Sequence, residues 1–339
     1  MRRRLGTAIA LHRRCPVEPS APSVVERFTR GVWIVRFTVS GVLIAFARME
    51  IVQTITEPIK VPDSGRAQHL HIVAGACSVQ GTRRDANEDR QYVSPDMNLF
   101  IVADGMGGHA AGEVASRFAV DVLSHELAKI AVVASEEEIR YRVHVALDRA
   151  HCMILDSVGA DPDARPPGTT VVFGLLLNHR LYITGVGDSR AYLIRGGSIE
   201  RLTIDDTWPD ILFHLGQISA DEARQHHMRH MLTTALGLSD FDSDREEIRA
   251  VDVYDGDRYL LASDGLTDAV EEDRMLEIVT ENDNPQAAAE LLVQEAVGND
   301  AGDDITCVAI FVRSNWGLMP AMQAKPTLWK RLTSLFKTT

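Results

Sequence analysis

A chain of 339 residues with 45% hydrophobic content can bury a sizeable core, as one large domain or two small ones. Its net charge of −13 is uneven, because residues 1–48 hold nine arginines, no lysine and only Glu18 and Glu26, a local +7 that leaves the remainder at −20. So acidic a body repels nucleic acid and suits cations, and four cysteines (Cys15, Cys77, Cys152, Cys307) without a C-x-x-C pair argue against a disulfide framework or a thiolate zinc site and fit a reducing cytoplasm.

In the N-terminal arm, the apolar run 31–47 (GVWIVRFTVSGVLIAFA) is near the lower length limit for a bilayer span, and Arg36 interrupts it. A central arginine costs roughly 2.5–3.5 kcal/mol on the insertion scale, which disfavours a membrane anchor. Residues 1–65 therefore read as a basic extension, disordered or not native, with Met49 as an alternative start. From residue 66 to 313 the pattern is globular. Apolar runs at Leu70–Val79, Leu99–Ala103, Thr170–Leu177, Arg180–Val186 and Ala191–Arg195 predict strands, as do Arg258–Ala262 and Ile305–Val312. The dipeptides Asn178-His179 and Gly196-Gly197 are tight turns, which join only antiparallel neighbours. Helical spacing covers Glu113–Ile130, Glu136–Val158, Asp268–Thr280 and Pro285–Val297. Strands and helices come in blocks, which predicts a layered α+β architecture and not a doubly wound parallel sheet. Residues 205–235 read as a helical flap inserted between strands. Residues 314–339, with Trp329, Leu332 and Phe336 among basic side chains, read as a basic amphipathic tail.

Aspartates recur at the strand ends. Asp104 closes the run from Asn98 and precedes Gly105, and Asp264 closes the run from Tyr259 and precedes Gly265. Asp188 follows another strand, Asp303 and Asp304 precede the last one, and Glu88 with Asp89 lie between the first two. One Asp-Gly is usually a turn; five such sites are a pattern. Carboxylates brought together repel, and Mg²⁺ or Mn²⁺ relieves that repulsion through all-oxygen coordination. Two such ions would share a bridging water and clamp an in-line displacement at phosphorus. Arg84, a planar fork five residues before Asp89, is the candidate for orienting a phosphate.

The segments GTRRDANEDR (81–90), VADGMGGHAAGE (102–113), GTT (168–170), GDSR (187–190), LTTALG (232–237), SDGL (263–266) and GDDIT (302–306) together resemble the metal-dependent protein phosphatases of the PPM or type 2C family, in their bacterial form. The resemblance implies a four-layer α-β-β-α sandwich of two antiparallel sheets with a metal site at one edge. It implies a hydrolase that cleaves phosphoserine and phosphothreonine monoesters of phosphoproteins, by in-line attack of a metal-bridging water or hydroxide. By the same resemblance Asp104 bridges two Mn²⁺ or Mg²⁺ ions, Gly105 lends its carbonyl to one, and Asp264 and Asp303 bind the other. Asp188 would hold a weaker third metal, Glu88 and Asp89 metal-bound waters, and Arg84 the substrate phosphate. A cognate Ser/Thr kinase, no nucleic-acid partner and a monomer are expected.

Three positions depart from the family. Met106 stands where a histidine often serves as general acid, which leaves the leaving-group proton donor unassigned, with His109 nearby. Asp304 replaces a common asparagine and would add negative charge beside the metals. Asp206 replaces a histidine ahead of the flap. Three rival readings fit parts of the sequence. The segment 105–110 fits G-x-G-x-x-A, a dinucleotide fingerprint, but lacks the following parallel strand. Cys77 with Arg83 and Cys307 with Arg313 fit C-x5-R, yet read as buried small hydrophobes. A phosphatase-like module without activity would keep the fold and lose the acids.

Overall fold

In strands covered on both sides, successive side chains enter two different cores, so near-continuous apolar runs are required. The computed structural model describes residues 32–39, 42–50, 70–107, 110–130, 132, 134–157, 167–239 and 241–314. In chain order it holds β1 (Val32–Val39), β2 (Val42–Glu50), β3 (His71–Val79), β4 (Arg90–Val93), β5 (Leu99–Ala103), β6 (Gly105–Met106), α1 (Ala110–Leu127) and α2 (Glu136–Ser157). Then follow β7 (Gly168–Thr169), β8 (Val171–Leu177), β9 (Arg180–Val186), β10 (Arg190–Arg195), β11 (Ser198–Arg201), α3 (Trp208–His214) and α4 (Ala220–Arg224). The chain continues through β12 (Arg249–Asp252), β13 (Arg258–Ala262), α5 (Asp264–Thr267), α6 (Glu272–Glu281), α7 (Pro285–Gly298) and β14 (Ile305–Arg313).

Two five-stranded sheets carry the domain, in the orders β11-β10-β13-β14-β3 and β12-β9-β8-β5-β4. Every strand pairing among the described residues is antiparallel. A dinucleotide-binding βαβ unit, which needs parallel neighbours, is thereby excluded for the segment after β5. Both tight turns have the left-handed backbone their sequence suggested: φ is 52° and 64° at Asn178 and His179, and 59° and 81° at Gly196 and Gly197.

The period of two sorts the core. Phe100 and Val102 of β5, Ala74 and Ala76 of β3, and Val308 and Ile310 of β14 meet between the sheets. Leu99, Ile101 and Ala103 of β5 face α1 and α2, against Leu123 and Leu147. Cys307, Ala309 and Phe311 of β14 face α6 and α7, against Met275 and Leu292. Three stacked cores define four layers, α-β-β-α. Each fully buried large apolar side chain contributes about 1.5–3 kcal/mol.

Several elements differ from the sequence expectation. Helix α1 starts three residues early, and the helix expected from Asp268 starts only at Glu272 as α6, with the short, unpredicted α5 ahead of it. Strands β4 and β12 went unpredicted because they are short edge strands with mixed polarity. Within the expected N-terminal extension, the backbones of β1 and β2 pair as an antiparallel hairpin, which alters the expectation of disorder for those two segments. The rest of that extension, His109 and the C-terminal tail from 315 lie outside the described residues. Cys77 and Cys307 are free and buried, whereas Cys152 is disulfide-bonded, which the cysteine spacing did not suggest. Among the described residues no helix is long and apolar enough to cross a membrane.

Strand β3 is the edge of its sheet, and α7 closes it. Asn284 caps α7 by accepting from Gln286 N–H at 2.8 Å, with Pro285 preset for the first turn. Gln286 then accepts from Ala76 N–H at 3.1 Å and donates its amide to Ala76 C=O at 3.1 Å. Its side chain thus replaces a missing neighbouring strand. Substituting Gln286→Ala would leave two buried backbone groups without partners and is expected to lower stability by about 2–3 kcal/mol. A urea titration reads this as a lower midpoint, and an unchanged midpoint would mean the edge is satisfied without Gln286.

Candidate metal centre

The acidic positions converge because five chain segments end at the same edge of the sandwich. Asp104 leaves β5, and its carbonyl accepts from Thr170 N–H at 2.9 Å and Thr169 Oγ1 at 2.8 Å. Its own N–H donates to Thr170 Oγ1 at 3.2 Å, so the β7–β8 segment fixes its backbone. Gly105 follows where a Cβ would lie 2.2 Å from Gly112 O and 2.6 Å from Glu88 O, so no larger residue fits. Asp264 leaves β13 and opens α5, with Ser263 N–H donating to Thr306 O at 3.0 Å. Asp188 is buried in the turn after β9, next to Ser189, whose hydroxyl meets Thr170 Oγ1 at 2.7 Å.

Asp303 and Asp304 lead into β14 with divided roles. Asp303 receives the Arg84 fork, Nε to Oδ1 at 2.6 Å and Nη2 to Oδ2 at 2.5 Å. Asp304 is buried and turns away from that pair: its Oδ1 accepts from Gly81 N–H and its Oδ2 from Glu88 N–H, each at 2.8 Å. The charge expected beside the metals is instead spent on two backbone donors that pin the 81–89 loop.

Arg84, Asp104, Gly105, Asp188, Asp264 and Asp303 line one cleft of about 550 Å³. Glu88 and Asp89 do not line it; both lie buried behind it. The Asp89 Oδ2 accepts from Ser263 Oγ at 2.9 Å, while its Oδ1 and the Oδ1 of Asp264 are buried with no hydrogen-bond partner. Met106 also lines the cleft, with a side chain that carries no proton to give.

Electrostatics follow from this packing. Desolvation, with repulsion from Asp304, pushes Asp89 up to about 8. Asp264 is raised to about 6 by desolvation and by Asp303, and Asp104 and Asp188 go well up, again by desolvation and then by neighbouring carboxylates. Arg84 is raised, chiefly by its hydrogen bonds to Asp303. The cysteine readings fall here: burial pushes the Cys307 thiol up to about 12 and the Cys77 thiol well up, so neither offers a thiolate.

Sequence reasoning missed Arg83, Arg229, His230 and Asp268, all of which line the cleft. Asp268 was legible in principle, four residues after Asp264 and so on the same side of one helical turn. Arg229 and His230 come from the flap, where no periodicity marks which residues turn inward. His230, Asp264 and Asp268 each place a ligand atom within 4.8 Å of the others. The segment read as a flap runs between β11 and β12. It carries α3 and α4 and is closed at its base, where Thr233 N–H donates to Asp206 O at 2.7 Å and Asp206 N–H to Gly187 O at 2.8 Å. Asp206 accepts from Gly187 N–H at 2.7 Å, and burial lifts it to about 6.

A four-layer α-β-β-α sandwich with an oxygen-rich acidic cleft at one edge defines a class of layered α+β proteins built around hard cations. The family model described as protein phosphatase 2C matches residues 78–295, and the chain belongs to that family. It is 35% identical over 240 residues to the serine/threonine protein phosphatase PstP of Mycobacterium tuberculosis, covering 69% of this chain and 43% of that protein, so it spans less than half of that relative's length. It is 31% identical to the serine/threonine phosphatase stp of Listeria welshimeri, covering 68% of this chain and 92% of that one. Among solved structures, M. tuberculosis PstP/Ppp superposes with a TM-score of 0.65 at 32% identity, over 71% of this chain and 99% of that one. The PstP catalytic domain in complex with two manganese ions gives 0.62 at 32% identity, over 72% and 99%.

The raised carboxylates carry a stability consequence. Each binds its proton more tightly folded than unfolded, so in chelator-treated protein the site destabilises the fold increasingly as pH rises from about 4 to about 8. Asp89→Asn removes one such charge and keeps a partner for Ser263. Its melting temperature is expected to fall less across that range than the parent's. Parallel curves for the two proteins would mean that Asp89 does not carry the effect.

Proposed function

We propose that this chain is a metal-dependent protein-serine/threonine phosphatase, a phosphoric monoester hydrolase acting on phosphoproteins. The observation that carries the reading is the set of Asp104, Asp188, Asp264 and Asp303 in one cleft beside Arg84, with buried oxygens of Asp89 and Asp264 lacking any hydrogen-bond donor. Carboxylate oxygens left so are costly, and an all-oxygen donor set fits Mn²⁺ or Mg²⁺. In this reading Asp104 and the Gly105 carbonyl, with Asp264 and Asp303, hold two core ions, and Asp188 contributes to a weaker third. Glu88 and Asp89, buried behind them, would hold water molecules around the ions. The relative solved with two manganese ions supports manganese for the core pair.

When bound, the ions supply a nucleophilic water at neutral pH and neutralise charge on the phosphoryl group. The rest falls to the protein. Arg84 presents two N–H donors in a plane, a geometry that now grips the two oxygens of Asp303 and equally suits two oxygens of a phosphate monoester. The threonines behind Asp104 keep its carboxylate aimed into the cleft, so orientation costs nothing at the moment of reaction. The closed base of the flap positions the side chains that border the substrate's path.

A cognate Ser/Thr kinase is the expected functional counterpart, and the protein is proposed to act as a monomer. A cytoplasmic setting is supported by Cys77 and Cys307, which face each other across β3 and β14 and remain free. The inactive-module alternative is disfavoured because every acidic position expected of the centre is filled and faces or backs one cleft.

The test is hydrolysis of a phosphothreonine peptide with Mn²⁺, Mg²⁺ or EDTA. Activity is expected with either ion and absent in EDTA, and Asp104→Asn or Asp264→Asn is expected to lower kcat/KM by about 10²–10³-fold. The same variants should lose the rise in melting temperature that Mn²⁺ gives the parent. Turnover that survives both EDTA and the variants would sink the metal reading. A Mn²⁺-induced melting shift without turnover would favour the inactive module.

A further inference from the structure

We infer that the phosphosite this protein acts on carries a second anionic group close to the scissile phosphate, a carboxylate or another phosphate, and that Arg83 and Arg229 receive it. The inference rests on the phosphatase reading above and adds the class of substrate.

It starts from where the unpaired arginines are. Fifteen arginines among the described side chains form ion pairs with carboxylates. Arg83, Arg117 and Arg229 do not. Arg117 lies on α1 with its guanidinium 5.6 Å from the Phe118 ring centre. The other two both line the acidic cleft, and both are exposed. In so acidic a body, an arginine that finds no carboxylate is the exception. Two at one cleft, coming from two different elements, are a pattern. Asp268 and Asp300 line the same cleft, yet neither pairs with them; Asp268 faces His230 Nδ1 at 3.4 Å.

Position adds to the count. The Arg83 N–H donates to Gly302 O at 3.0 Å, and its guanidinium lies across Gly302, where a Cβ would meet Nε at 1.7 Å and Cζ and Nη2 at 2.1 Å. The missing side chain of Gly302 therefore lets this fork rest next to Asp303 at the mouth of the centre. Arg229 comes from the flap just past α4, its N–H donating to His226 O at 3.1 Å. Arg84 already serves the scissile phosphate in the proposed mechanism, with cations for the remaining charge. Two further forks exceed what one phosphate monoester takes up, and a planar fork suits carboxylate or phosphate bidentately.

The experiment compares three phosphothreonine peptides that differ only near the phosphosite: one with alanine flanks, one with glutamate flanks, and one with a second phosphothreonine two residues away. With Mn²⁺ present, kcat/KM is expected to be about tenfold higher for the anionic peptides than for the alanine peptide, mainly through KM. The ratio should shrink as salt is raised. In the double variant Arg83→Gln/Arg229→Gln the ratio should drop to about one to two, and the glutamate and phosphate arms tell which anion is preferred. Melting curves check that the variant is folded, which is expected because both side chains are exposed. A parent ratio near one, or a ratio that survives the double substitution in a folded protein, overturns this inference and leaves the phosphatase reading standing. No turnover of any peptide removes that reading, and this one with it.

Discussion

Carboxylates of one sign crowded at one edge of a sandwich are the constraint to which the rest of this structure answers. Asp89, Asp104, Asp188 and Asp264 each lose hydration and meet at least one other acid. Left to itself such a cluster would push the strand ends apart. It is held by neutral hydrogen bonds that fix backbones and leave the charges unmatched: Thr169 and Thr170 on Asp104, Ser263 on Asp89, Thr306 on Ser263. An arginine ion pair stands beside them, where Arg84 meets Asp303. The three apolar cores beneath, each continuous through a sheet, supply the rigidity that keeps these positions from relaxing.

The same constraint explains what sequence could and could not reveal. Strands β5, β9 and β13 were read with their bounds, because a strand buried on both faces has a near-continuous apolar run with abrupt ends. Those abrupt ends are where Asp104 and Asp264 sit, so the strand pattern carried the site with it. Edge strands β4 and β12 are short, half exposed and mixed in polarity, so neither has an apolar run to mark it, and β12 takes its partner, β9, from far away in sequence. The flap has no core of its own to impose a period, so Arg229 and His230 had no signature. Arg83 stood beside Arg84 in the same motif; the absence of a carboxylate partner, visible only in three dimensions, is what separates them.

Asp304 shows how a correct residue can be read for the wrong reason. An aspartate in place of asparagine beside a metal ligand suggests extra charge for the ion. The structure uses that charge elsewhere. Both Asp304 oxygens accept from backbone N–H groups, at Gly81 and Glu88, and an asparagine there would offer only one acceptor while aiming its amide donors at another donor. The loop that brings Arg83 and Arg84 to the cleft and Glu88 and Asp89 behind it is thus tied at both ends to the residue just before β14. The adjacent carboxylate, Asp303, sits at the mouth of the cleft.

That tie makes neighbours of two functions that a sequence lists far apart. The proposed ligand Asp303 and the loop-holding Asp304 are consecutive residues, so neither can move without the other. The carboxylate of Asp304 is itself held up by burial and down by its two N–H donors, and it is the donors that make a buried charge tolerable there. Asp206 repeats the device at the flap. It sits where a histidine would be expected, and it accepts from Gly187 N–H, one residue before Asp188, while its carbonyl closes the flap base on Thr233. In both places an acid that departs from the family pattern serves as a backbone acceptor next to a proposed ligand. These two departures therefore concern how the loops around the centre are held, whereas the third, Met106, faces the cleft itself.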